Sequence, residues 1–281
     1  MTMKKRHKAF AILRHAVLII LAVYTLAPLA FLVVNAFKSN NEIVSSPVAL
    51  PSSWSFQYIK NAMEQINFLG AIGITFVITF FAILLIVLVS SFAAWAMVRS
   101  KNVFANILFM CFTAAMLIPF QSLMYPLLSI FEKLGLKNIP GLILMYGGFG
   151  LSMSVFLYHG FIKSIPASLE EAALLDGANL FQMFFNVVFP LLKSTTVTVI
   201  VLNAMWIWND YLLPFLVIGN KEGVKTLTLE LYFAKLTSGQ YGNPWELIFP
   251  AVFVTIIPII ILYVFLQKYI ITGVADGAVK M

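Results

Sequence analysis

Between two long apolar blocks the chain reads Ser164-Ile165-Pro166-Ala167-Ser168-Leu169-Glu170-Glu171-Ala172-Ala173-Leu174-Leu175-Asp176-Gly177-Ala178-Asn179, and it runs on to Phe189-Pro190. Local chemistry predicts a short helix from about Pro166 to Asp176. Pro166 suits a first helical turn, where a missing N–H costs nothing. Ser168 and Glu171 have the spacing of a capping box, and Glu170 and Glu171 favour the positive end of the helix dipole. Ala172, Ala173, Leu174 and Leu175 are good helix formers, and Gly177 offers the left-handed conformation that ends a helix. Asn179 suits the cap of a second helix, along which Phe181, Phe184 and Phe185 follow before Pro190. A polar-patterned helix parked between apolar blocks needs something to pack against. Acids stand where a lipid-surface helix prefers Lys and Arg, and small residues favour close approach, so a protein surface is the expected partner.

The blocks on either side set the class. The chain has 281 residues, of which 61% are hydrophobic and only 10% charged. Soluble domains carry about 25% charged residues, so this composition excludes one. Continuous apolar runs long enough to cross about 30 Å of hydrocarbon recur along the chain, which predicts an all-α polytopic membrane protein. An outer-membrane barrel is excluded, because its strands alternate apolar and polar residues over about ten positions. The single cysteine, Cys111, cannot form an intrachain disulfide and is expected to pack in the core.

Six spans are expected, over about 11–34, 68–98, 103–130, 139–162, 191–218 and 247–267. They divide the chain into an N-terminal tail (1–10), a transmembrane domain (11–270) containing the 164–190 loop, and a C-terminal tail (271–281). The first apolar run exceeds the roughly 7–15 residues of a secretory h-region, and no small-x-small site follows Asn35, so it reads as a permanent anchor. Basic residues cluster on one side: Lys4, Lys5, Arg6, Lys8, Arg14, Arg99, Lys101, Lys163, Lys193, Lys268 and Lys280. That side carries a net charge of +7 and the other +1, with Asp210 inside a span. The positive-inside rule then places both termini and the 164–190 loop in the cytoplasm, and the basic excess is a topology signal with no nucleic-acid partner behind it.

The loop closely resembles the EAA motif of ABC importer permeases, which is Glu-Ala-Ala, three residues, Gly, nine residues, Ile, one residue, Leu-Pro. Glu171-Ala172-Ala173, Gly177, Val187 and Phe189-Pro190 fall in that register, with Val187 standing for Ile and Phe189 for Leu. Further stretches are similar to the smaller permease subunit of the maltose/oligosaccharide branch. They are Phe37-Lys38-Ser39, Ile118-Pro119, Pro140-Gly141, Gly160 to Pro166, Trp208-Asn209-Asp210-Tyr211-Leu212-Leu213-Pro214, and the tail Gly277 to Met281.

The resemblance implies a type I ABC importer permease fold in a bacterial inner membrane. It implies a second, different permease subunit, two cytoplasmic ATPase subunits and an extracytoplasmic sugar-binding protein as partners. The loop is then the coupling helix: Glu170 or Glu171 makes polar contacts to the ATPase, Ala172 and Ala173 allow close packing, Asp176 closes the helix and Gly177 turns the chain. The chain has no G-x-x-x-x-G-K-[ST] phosphate loop, so no cofactor is expected on it; ATP and magnesium belong to the ATPases, and the subunit is no enzyme. An importer of amino acids, polyamines or phosphate shares the loop motif and is the nearest alternative. A secondary transporter or channel is the alternative from another class, and the lack of charged groups at the midplane counts against it.

Candidates along a substrate path are the polar and aromatic groups inside spans: Gln121 and Tyr125 in the third, and Asn203, Trp206, Asn209 and Asp210 in the fifth. Rings beside amides suit a sugar, although aromatic neighbours also arise by chance among 26 Phe, 10 Tyr and 5 Trp. Counted from Leu191, Asp210 lies about 28 Å up its helix, which points to an outer gate or a bridge between helices before a sugar contact. The loop from Gly219 to Glu246, with Tyr232, Tyr241 and Trp245, is long enough for a short helix; the resemblance implies a contact there for the binding protein, and a plain solvated loop is the alternative. His7, His15 and His159 show no metal-ligand spacing.

Overall fold

A computed structural model describes residues 3–100, 102–221, 223–238 and 243–278. Lys101, Glu222, Tyr241 and the tail beyond Ala278 lie outside the described residues. All regular structure among them is helical. The helices are α1 (Met3–Asn35), α2 (Asn40–Ser45), α3 (Gln57–Gln65), α4 (Phe68–Ser100), α5 (Val103–Ala115), α6 (Phe120–Lys133) and α7 (Ile139–Ile162). They continue with α8 (Ser168–Leu175), α9 (Leu180–Met183), a π turn (Phe184–Val188), α10 (Phe189–Leu191), α11 (Lys193–Asn209), α12 (Leu212–Val217), α13 (Leu227–Ser238) and α14 (Trp245–Ala278).

Four helices carry a segment long and apolar enough to cross a membrane: Ala11–Asn35, Phe68–Ser100, Ile139–Ile162 and Trp245–Phe265. The third and fifth expected spans are each broken. Over 103–130, α5 and α6 meet at 106° across Met116–Pro119. Proline supplies the reason, since Pro119 lacks an N–H and biases Ile118 away from helix. The last N–H groups of α5 fall back on carbonyls three residues behind, from Met116 to Thr113 and from Ile118 to Ala115. Pro28 and Pro126 stay within their helices, so position decides the outcome. Over 191–218, α11 stops at Asn209 and α12 restarts at Leu212.

One compact unit comprises residues 1–68 with 231–257. In it α1 buries none of its residues between Ala11 and Val34, and in that stretch Phe31 lies edge-on to Phe249 at 5.6 Å. Its end is tied firmly. Lys38 is fully buried and donates to the carbonyls of Ser46 (2.9 Å) and Pro47 (3.4 Å), while Asn35 Nδ2 donates to Pro47 O at 3.0 Å. Asn40 and the start of α14 exchange two bonds: Asn40 N–H to Glu246 Oε2 (3.0 Å) and Trp245 N–H to Asn40 Oδ1 (3.2 Å). Phe37 adds ring contacts with Trp54 and Phe56.

The second unit comprises residues 69–230 with 258–281. Its centre is α7, which packs against α5 and α11. Met97, Ala105 and Val155 form a small core where α4, α5 and α7 meet. Cys111, expected in a core, is exposed on α5. An open cavity of about 910 Å³ lies along α4, α11 and residues 258–265, lined by Phe76, Phe80, Leu84, Ala204, Trp208 and Leu262 among others.

Candidate functional site

The 164–190 loop leaves α7 through Lys163–Ala167 and forms α8 over Ser168–Leu175. The expected Ser168–Glu171 capping box is not made. Ala167 already has helical angles (φ −64°, ψ −22°), so Ser168 is inside the helix and its hydroxyl has no extended cap position to work from. The far end follows expectation. Gly177 adopts φ +84°, its N–H donates to Leu174 O (3.1 Å), and Ala178 N–H donates to Ala173 O (3.0 Å). This two-bond stop satisfies the last carbonyls and relies on a residue without Cβ strain. Asn179 then opens α9 with a reciprocal capping box: its Oδ1 accepts Gln182 N–H, and Gln182 Oε1 accepts Asn179 N–H, both at 2.9 Å. The segment 180–191 meets α11 at 77°.

The two glutamates face opposite ways. Glu171 is exposed, along with Ala172, Leu174, Leu175 and Asp176. Glu170 is only 7% exposed and is turned onto the end of α4. Its Oε1 accepts Arg99 Nε at 2.9 Å and Nη2 at 2.6 Å, and its Oε2 accepts Trp95 Nε1 at 3.0 Å. Arg99 Nη2 also donates to Ile165 O at 3.0 Å, tying down the segment that leads into α8. The expectation that either glutamate reaches a partner therefore narrows to Glu171. The missed signal lay in spacing: Trp95 and Arg99 are four residues apart and share one helix face, a ready cradle for a carboxylate.

The same tryptophan holds the second half of the loop. Its ring lies 5.4 Å from Phe184, and Phe92 lies 5.0 Å from Phe184 and 6.2 Å from Phe181. Phe184 is fully buried at the start of the π turn. Pro190 lacks an N–H, and its ring crowds the carbonyl of Asn186; the π turn widens the helix where that crowding falls.

At the break in the fifth span, Asp210 has extended angles (φ −76°, ψ 128°). Oδ2 accepts the Tyr146 hydroxyl at 2.9 Å, Oδ1 accepts Leu212 N–H at 2.9 Å, and its carbonyl accepts Thr228 Oγ1 at 2.8 Å. One residue thus joins α7, the restart of the fifth span and the first turn of α13. Asn203 is buried: Nδ2 donates to Ser154 Oγ (3.1 Å) and Val199 O (2.8 Å). A Cβ at Gly150 would come within 2.6 Å of Asn203 Oδ1, so glycine lets α7 and α11 approach there. Asp210 and Asn203, two of the polar groups expected on a substrate path, make bonds between helices.

The remaining path candidates are accessible. Trp206 is 41% exposed and sits edge-on to Tyr146 (5.3 Å) and Phe149 (6.4 Å), and Phe149 meets Phe120 at 5.3 Å. Gln121, Tyr125 and Asn209 are exposed, and Asn209 Nδ2 bonds back to Met205 O at 2.7 Å. Trp206 is thus the only one of these in a chain of rings leading to Asp210. Among the described residues no group of three or more His, Cys, Asp or Glu could hold a metal ion. His159 is buried and stacks on Phe109 at 3.6 Å.

A stapled loop helix on an all-helical membrane scaffold matches known proteins. Residues 86–276 match the family described as binding-protein-dependent transport system inner membrane component. The chain belongs to that family. It is 43% identical over 262 residues to the probable starch degradation products transport system permease protein AmyC of Thermoanaerobacterium thermosulfurigenes, covering 93% of this chain and 94% of that one. It is 34% identical to the multiple sugar-binding transport system permease protein MsmG of Streptococcus mutans, covering 99% and 100% of the two chains. The melibiose/raffinose/stachyose import permease protein MelC of Bacillus subtilis is 32% identical over 90% of this chain and 91% of its own. The fold matches a chain in the crystal structure of a bacterial ABC transporter involved in the import of the acidic polysaccharide alginate, with TM-score 0.81, 23% identity, and 96% and 98% coverage. This permease therefore has the ABC importer fold and is an inner-membrane transport component.

Proposed function

We propose that this permease is one of two different membrane subunits of a sugar or oligosaccharide importer, with two cytoplasmic ATPases seated on the 164–190 loop and an external binding protein delivering the substrate. The observation that carries the loop assignment is its exposed face. Leu175 is 90% exposed and Leu174 58%, beside Glu171 and Asp176, on a helix whose opposite side is fastened to α4. Two exposed leucines on a rigid mount call for a protein cover. Glu171 and Asp176 are the polar contacts in this reading, Ala172 and Ala173 the close-packing positions, and Gly177 the turn. ATP and magnesium bind to the ATPases. Both termini lie in the cytoplasm, from the basic excess on that side. ATP-driven movement of the loop switches the spans between inward- and outward-open states.

The sugar assignment rests on the relatives, whose names specify starch products, multiple sugars, and melibiose, raffinose and stachyose. Trp206 and Tyr125 are the rings offered to a sugar face. Two measurements test the reading. A tagged chain purified from its host is expected to bring down a second permease and an ATPase. Cells are expected to take up radiolabelled malto-oligosaccharide in a manner dependent on Gly177 and the ATPase, and no labelled amino acid by this route. Uptake that survives loss of the ATPase would falsify the assignment.

A further inference from the structure

We infer that the Arg99–Glu170–Trp95 cluster is a positioning device that makes the loop and the end of α4 move as one body, so that force applied at α8 enters the membrane first through α4. The inference rests on the reading of the loop as the ATPase seat.

The loop's covalent connections are poor transmitters. On one side it joins α7 through Lys163–Ala167, which is not continuous helix. On the other it joins α11 through Leu192 at a 77° bend. Both are places where a push is absorbed by rotation of backbone dihedrals. The link to α4 is of another kind. Glu170 receives three hydrogen bonds from two side chains one helical turn apart, and Arg99 holds Ile165 as well. Charge-assisted, multiply bonded contacts fix orientation as well as distance. Trp95 extends the same fixation to Phe184, so both halves of the loop are pinned to one turn of one helix.

The length of α4 makes this useful. Its 33 residues span about 50 Å at 1.5 Å per residue, against about 30 Å of hydrocarbon. The turns that carry Trp95 and Arg99 are therefore free to stand clear of the membrane core. A displacement of α8 then tilts α4 as a lever whose other end begins at Phe68. Glu170 touches no ATPase in this scheme; it acts through Arg99 and Trp95.

The test uses the complete complex, binding protein included, in membrane vesicles. Cys111→Ser removes the native thiol and Leu69→Cys, at a position 78% exposed at the far end of α4, serves as reporter. Labelling by a membrane-impermeant maleimide is compared with and without ATP and vanadate. In the otherwise native protein the labelling rate is expected to change with nucleotide. Glu170→Gln keeps shape but removes the charge, and is expected to shrink that change at least about five-fold, within the range of measured coupling between sites. Trp95→Phe keeps the ring on Phe184 and loses one bond, with an expected loss smaller than that of Glu170→Gln. In both variants the ATPase still co-purifies at native yield.

A native nucleotide response in Glu170→Gln overturns the inference, and so does loss of the ATPase from that variant, which would make Glu170 a folding or seating residue. Absence of any ATPase or any nucleotide response in the native complex instead removes the reading of the loop itself, and the coupling role goes with it.

Discussion

Two carboxylates, Glu170 and Asp210, each hold helices together where the chain changes direction, and they are bonded differently. Glu170 sits in a cradle with a full positive charge, receiving two bonds from Arg99 and one from Trp95. Asp210 is held by neutral donors, the Tyr146 hydroxyl and the Leu212 N–H. A carboxylate strengthens the bonds it accepts at either site, but only at Glu170 does a full opposite charge add Coulombic attraction, and two N–H groups of one planar guanidinium converging on Oε1 also fix its angle. The loop end is therefore built to resist rotation. The Asp210 end is built to hold through bonds that break singly, as suits a place where a span is interrupted.

Substitutions separate these two designs. Glu170→Ala leaves the Arg99 guanidinium and the Trp95 N–H facing a half-buried void, and breaking such a pair costs about 3–5 kcal/mol. Thermal unfolding in detergent should show the largest fall in Tm of any variant here. A double-mutant cycle with Arg99→Ala should return a coupling well above that of an exposed pair such as Lys60–Glu64. Asp210→Ala removes the acceptor of a fully buried tyrosine and is expected to cost about 2–3 kcal/mol, whereas Tyr146→Phe costs about 1 kcal/mol. Were Asp210→Ala to cost as much as Glu170→Ala, the contrast between a charged donor and neutral donors would be lost. Gly177→Ala forces an L-residue to φ +84° and should cost about 1 kcal/mol, with α8 frayed at its end by hydrogen exchange. Tyr125→Ala, at a residue 83% exposed, should change stability by less than about 0.5 kcal/mol. Its measurable effect is expected in uptake of labelled malto-oligosaccharide.

The legible parts of this molecule are those governed by nearest neighbours. Gly177 as a left-handed stop and Asn179 as a cap depend on a few consecutive residues and were readable from them. So was a short helix within Gly219–Glu246, which is α13. The bridging role of Asp210 followed from its height along the span. The orientation of Glu170 was not readable, because the two glutamates are adjacent and identical, and the residues that choose between them lie 71 and 75 positions away. The Ser168 cap failed for a local reason that the motif does not encode: winding starts at Ala167. Asn203 is a path candidate because it is polar and near the midplane; its bond to Ser154 and its fit against Gly150, one helix away, depend on residues about fifty positions off and were not readable.

Gly150 has a mechanical consequence. Along the antiparallel pair of α7 and α11, Tyr158 bonds Thr196 at 2.9 Å toward the loop, Asn203 nests on Gly150 and Ser154 in the middle, and Tyr146 bonds Asp210 toward the other end. A Cβ at Gly150 would collide with Ile86 Cδ1 and fall 2.6 Å from Asn203 Oδ1, so the missing side chain makes room for α4 as well as α11, and one side-chain hydrogen bond stands on either side of it along the α7–α11 pair. A side chain at this position would have to displace Ile86 and Asn203 together, so one bare Cα sets how near α7 can lie to both of its neighbours.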